Sequence, residues 1–111
     1  MPQADLYFSS ELPIDPADLL SRVESVIANH DPSAGECKGR AIPVAVTHHR
    51  HLLLHVAVLE KPHRTADFMH GLKDKLAAVF SADEFGPCVV SVELRFQSPY
   101  NTSVRFPPGS H

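Results

Sequence analysis

A chain of 111 residues, 43% apolar and 21% charged, has the composition of an ordinary soluble globular domain. It is too short for two independent cores, so residues 1–111 are expected to form a single domain. A net charge of −3 gives no broad basic field, which excludes nucleic acid as the main partner, and the longest apolar run, residues 76–80, is too short to span a membrane.

Residues 3–8 alternate, with Ala4, Leu6 and Phe8 on one face and Asp5 and Tyr7 on the other, so a strand is expected at once. Asp5 also interrupts the start, where a signal peptide would need an apolar core. Pro13 ends the strand. Asp15 suits a helix N-cap and Pro16 the first helical position. Leu19, Leu20, Val23, Val26 and Ile27 then recur at helical spacing until Asn29-His30-Asp31-Pro32 stops the helix.

A polar loop over residues 31–39 leads to Arg40, after which Ile42, Val44 and Val46 alternate. Pro43 within this run predicts an edge strand or a bulge. Residues 51–60 form the next predicted strand and carry apolar side chains on both faces, which predicts a central, buried position. Thr65 caps a second helix reaching about Ser81, with Phe68, Met69, Leu72, Leu76 and Phe80 as its apolar stripe. Residues 83–87 read as a loop and residues 88–96 as a further strand. The proline-bearing tail, 97–111, reads as mostly irregular with a short strand near 102–106. The order β-α-β-β-α-β predicts an α+β, two-layer sandwich: a four-stranded mixed sheet with both helices on one face. The opposite face would then be bare in a single copy, and the apolar character of 51–59 predicts that further subunits cover it.

Pro2 is the sharpest functional signal. An initiator methionine before a small residue is normally trimmed, and the expected mature terminus is then a free secondary amine. Desolvation disfavours the charged form of such an amine and lowers its pKa toward neutrality, where it can act as a general base. With Met1 retained, the same nitrogen is an amide and cannot. The eight histidines raise a metal hypothesis, but His51 and His55 in a strand lie about 13 Å apart at their Cα atoms, too far to share one zinc. No carboxylate or cysteine falls at a helpful spacing, and neither a metal nor a cofactor is expected. Cys37 and Cys88 match no metal or redox spacing and read as free thiols in a reducing cytoplasm.

The start Met1-Pro2-Gln3, the run Ser9-Ser10-Glu11-Leu12, the segment Lys38-Gly39-Arg40-Ala41, the run from His55 to Glu60 followed by Arg64-Thr65, and Val90-Ser91-Val92-Glu93-Leu94 together carry a resemblance. In this order they are similar to the tautomerase superfamily, the macrophage migration inhibitory factor-like fold, nearest to its 5-carboxymethyl-2-hydroxymuconate delta-isomerase group. The resemblance covers nearly the whole chain. It implies a cytoplasmic homotrimer with sites near its subunit boundaries, as in aromatic catabolism. There Pro2 would move a proton within an unsaturated 2-hydroxy or keto acid, with Arg40 and Arg64 binding or polarising it and Lys38 and Tyr7 as further substrate contacts. Two departures stand out: Tyr7 sits where the isomerases often carry an acidic residue, and Glu11 where they often have asparagine. A non-catalytic assembly or binding module, and a promiscuous enzyme acting on another electrophilic unsaturated acid, stay open as alternatives.

Overall fold

Alternation at the start of the chain becomes β1 (Gln3–Ser9), whose Ala4, Leu6 and Phe8 are buried while Gln3, Asp5 and Tyr7 look the other way. The structure, a computed structural model, describes residues 1–108, with the backbone alone at Ala82. α1 (Pro16–His30) starts where expected: the Asp15 carboxylate accepts a hydrogen bond from the Asp18 N–H at 3.2 Å, and Pro16 occupies the first turn, where its missing N–H costs nothing. Leu19, Val23 and Ile27, four residues apart, form its buried stripe. β2 (Lys38–Val44) begins two residues before the expected Arg40.

β3 (His51–Val58) buries Leu52, Leu54, Val56 and Val58 and half-buries the residues between them. In α2 (Ala66–Ala77) the Thr65 side chain caps the Phe68 N–H at 3.3 Å, and Leu72 and Leu76 face the core. α2 stops short of the expected Ser81, because the N–H groups of Val79 and Phe80 turn back to the carbonyls of Leu76 and Ala77. A short helical turn, α3 (Ala82–Phe85), replaces the loop expected at 83–87. The Ser81 hydroxyl accepts from the Asp83 N–H, its carbonyl accepts from Glu84, and Phe85, 3% exposed, anchors the turn in the core. β4 (Val89–Phe96) follows.

The sheet runs β2-β1-β3-β4. β1 pairs with β2 in parallel, β3 with β4 in parallel, and the two β-α-β halves meet along the antiparallel β1/β3 seam. This puts β3 at the centre and leaves Pro43 on an edge strand, where it breaks no inner ladder. α1 packs against β2 and α2 against both α1 and β4, so the core lies between one sheet face and the helices. Register fixes the opposite face: Arg40, Asp5, His55 and Glu93 form one row across it, and Lys38, Gln3, Ala57 and Arg95 the next.

The strand expected at 102–106 is absent: residues 101–105 join no ladder, and Val104 and Phe106 stand 68% and 80% exposed. A strand needs a neighbour for its backbone hydrogen bonds, and this segment pairs with none of the four. Residues 109–111 of the expected irregular tail lie outside the described residues. No described helix is long and apolar enough to cross a membrane.

Candidate active site

Pro2 is buried at the head of β1, beneath a Met1 that is 38% exposed. The Pro2 carbonyl accepts a hydrogen bond from the Lys38 N–H at 2.8 Å, which carries the β1/β2 ladder back to the start of the chain. The Met1 carbonyl accepts from the side-chain amide of Gln97 at 3.1 Å. A cleft of about 240 Å³ surrounds Met1, walled by Lys38 and by Ser103, Val104 and Arg105 of the tail. Glu36 gathers both cations, with Lys38 at 3.0 Å and Arg105 at 3.8 Å. The Lys38 hydrogen bond, helped by the charges of Lys38 and Arg105, holds the Glu36 carboxyl below its ordinary pKa. The cleft around Met1 is therefore lined by two cations, one of which comes from the tail.

Arg40 stands on the helix-free face, where β1 and β2 bring it opposite Asp5. Its Nη1 donates to Asp5 at 2.6 Å and its Nη2 to the Gln3 side-chain carbonyl at 2.6 Å, so the guanidinium is oriented although about half exposed. Lys38 lies two positions back along the same strand. Tyr7 lies on this face too, its ring 5.9 Å from that of His55 in an edge-on arrangement. Five residues of strand, roughly 16 Å, separate Tyr7 from Pro2, so one chain does not bring those two together.

Arg64 has a different setting. Its side chain is 3% exposed; Nε donates to Asp31 at 2.8 Å and Nη1 to the Leu59 carbonyl at 2.6 Å, with Nη2 at 2.7 Å from the same Asp31 oxygen. Burial pushes the Asp31 carboxyl upward, but hydrogen bonds from Ser33, Arg64 and His63 and the Arg64 charge outweigh it, leaving Asp31 well below the usual carboxylate range. Arg64 lines neither the Met1 cleft nor the cleft on the helix-free face. Its place is in the core, where it ties the loop after α1 to the segment leading into α2.

Cys37 and Cys88 are free and half-buried. Burial, with the Glu24 carboxylate nearby, pushes the Cys37 thiol up to about 11, which suits a packed thiol rather than a nucleophile. Among the described residues no three His, Cys, Asp or Glu side chains are grouped to hold a metal ion. His51 is tied by Nδ1 to the His49 carbonyl at 2.9 Å, and His30 by Nε2 to the Phe68 carbonyl at 3.0 Å. Gln97, Arg105 and the Asp5–Gln3 clamp on Arg40 were missed in the sequence. Strand register alone reveals the clamp, and Arg105 has no periodic signal at all.

No protein-family model matches the sequence, and no curated protein matches it either. Solved structures do match. A 5-carboxymethyl-2-hydroxymuconate isomerase from Deinococcus radiodurans R1 superimposes with a TM-score of 0.69 at 20% identity, covering 94% of this chain and 88% of that one. A macrophage migration inhibitory factor-like protein from Entamoeba histolytica gives 0.66 at 9% identity, covering 94% and 95%. The FG41 malonate semialdehyde decarboxylase inhibited by 3-bromopropiolate gives 0.58 at 11% identity, covering 97% and 91%. The chain has the tautomerase fold. Within that fold Pro2 heads the first strand, and two of the five residues singled out in the sequence, Pro2 and Lys38, are joined by a backbone hydrogen bond, with Lys38 also lining the Met1 cleft.

Proposed function

We propose that the protein is a tautomerase-type enzyme acting on a small unsaturated 2-hydroxy or keto acid, with Pro2 as general base once Met1 is removed. The observation that carries this reading is the position of Pro2: buried, fixed through its carbonyl by Lys38, and joined directly to a Met1 that lies in a cleft lined by Lys38 and Arg105. Removal of Met1 would free the proline nitrogen at the position where Met1 now enters that cleft. Burial and the nearby charges of Lys38 and Arg105 both disfavour an ammonium there, so the amine is neutral and basic at a lower pH than a solvated one. It takes the proton from the enol hydroxyl of the dienol acid, leaving an enolate, and delivers a proton to a carbon of the conjugated chain to give the keto form. Lys38 and Arg105 attract the substrate carboxylate, and their charge stabilises the developing enolate.

Arg40, pre-oriented by Asp5 and Gln3, is the residue suited to grip a carboxylate with two parallel hydrogen bonds. Its position on the helix-free face supports a site completed across a boundary between copies, in a homotrimer that covers this face and also brings Tyr7 toward a neighbouring Pro2. Arg64 serves this site as a positioning residue, through the loop it ties to Asp31. Titration of the purified protein with a 2-hydroxymuconate-type acid and with phenylenolpyruvate tests the reading. Ketonisation should be catalysed by the wild type and largely lost in Pro2→Ala, and equal rates would eliminate the proline base. Sedimentation as a monomer alone would remove the shared site.

A second reading is a non-catalytic binding module. The Gln97 hydrogen bond to the Met1 carbonyl favours it, because it holds Met1 over Pro2. Intact mass decides between the two: retention of Met1 throughout the purified protein supports the module.

A further inference from the structure

A second cleft, of about 520 Å³, opens on the helix-free face; it shares no lining residue with the cleft around Met1, although its Gln97 side chain also bonds the Met1 carbonyl. Register explains why it is there. Ala57 lies between Gln3 on β1 and Arg95 on β4, and its methyl group leaves a hollow among longer neighbours. Arg40 reaches the β2 side of this hollow and Arg95 the β4 side. Their circumstances differ. Arg40 is paired with Asp5 at 2.6 Å. Arg95 makes no ion pair among the described residues.

Two arginines and a single lining carboxylate, Asp5, leave the cleft with one net positive charge when His55 is neutral. Polar side chains share the lining with Arg95. Ser98 and Asn101 line the same cleft. The Ser98 oxygen accepts from the Tyr100 N–H at 3.1 Å, so its own proton is available to a ligand. A planar guanidinium with five N–H donors in a fixed fork, a hydroxyl and a side-chain amide match the geometry of an oxyanion.

We infer that this cleft is an oxyanion-binding site centred on Arg95, taking the carboxylate or phosphate group of a small molecule. The site shares Arg40 with the substrate grip proposed above but is centred on Arg95, and its anion binding requires no turnover at Pro2. Asp5 sets its selectivity: it neutralises Arg40 and faces the same space, so a compact singly charged group fits better than an extended acidic chain.

Amide chemical shifts of the isotope-labelled full chain, titrated separately with acetate and inorganic phosphate at constant ionic strength, test the inference. Saturable shifts should appear at Arg95, Ser98 and Asn101, and the tighter-binding of the two ions identifies the source class. Arg95→Gln should weaken binding at least about tenfold, as loss of a charge-assisted pair implies. Lys38→Gln and Pro2→Ala should change it less than about twofold, so failure of the proline reading and failure of this one are told apart. Saturable shifts that survive Arg95→Gln, or that vanish in Lys38→Gln instead, overturn the assignment. So does the absence of saturable shifts with both ions.

Discussion

Arg64 and Arg40 are the two arginines that the sequence marks out, and the fold treats them in opposite ways. Arg64 is sealed in the core with Asp31, its donors spent on a carboxylate and on the Leu59 carbonyl. Arg40 is half exposed and held from one side by Asp5 and Gln3, with the cleft on the helix-free face before it. Desolvation makes the difference. A buried charge stripped of its partner is left uncompensated, whereas an exposed one is simply rehydrated. The first arrangement contributes stability and the second a ready-made grip.

The largest expected effect is on the buried pair. Arg64→Ala should cost about 3–5 kcal/mol in denaturant unfolding, because it strands the Asp31 carboxylate. The pair's acid sensitivity comes next. Asp31 is held below its unfolded value, so the unfolded chain takes up the proton first. Its contribution should be complete above the unfolded carboxylate pKa of about 3.9 and should fade as pH drops further, and Asp31→Asn should flatten that acid limb of the unfolding curve. By contrast, Arg40→Ala should change unfolding by no more than about 1 kcal/mol while raising KM for the keto acid. If Arg40→Ala and Arg64→Ala destabilise equally, the contrast between them is gone. The smallest effect concerns Cys37: with its thiol pushed up to about 11, it should react with a thiol reagent at mildly alkaline pH much more slowly in the folded protein than in the denatured one.

Much of this was legible in the sequence because it is written locally. The Asp15-Pro16 start, the Thr65 cap and the period-two run of β3 each need only a few neighbouring residues, and Pro43 on an edge strand follows from its missing N–H. What escaped depends on partners far along the chain. Asp31 lies 33 positions from Arg64, and nothing between them signals that the arginine will be buried. Asp5 meets Arg40 only because β1 and β2 pair in one particular register, since a slip of one residue would leave the two on opposite faces of the sheet. The end of α2 and the α3 turn escaped for a related reason. The apolar stripe continues to Phe80, but the backbone turns at Ala78 so that Phe85 can enter the core.

Pro2 as a base has one strict condition, a free secondary amine, and the most direct measurement isolates it. Met1-retained and Met1-cleaved forms of the same purified protein, verified by intact mass, are assayed side by side for ketonisation across neutral pH. A proline base requires activity in the cleaved form alone, with kcat/KM falling on the acid side as the amine is protonated. Equal turnover by the two forms would contradict it.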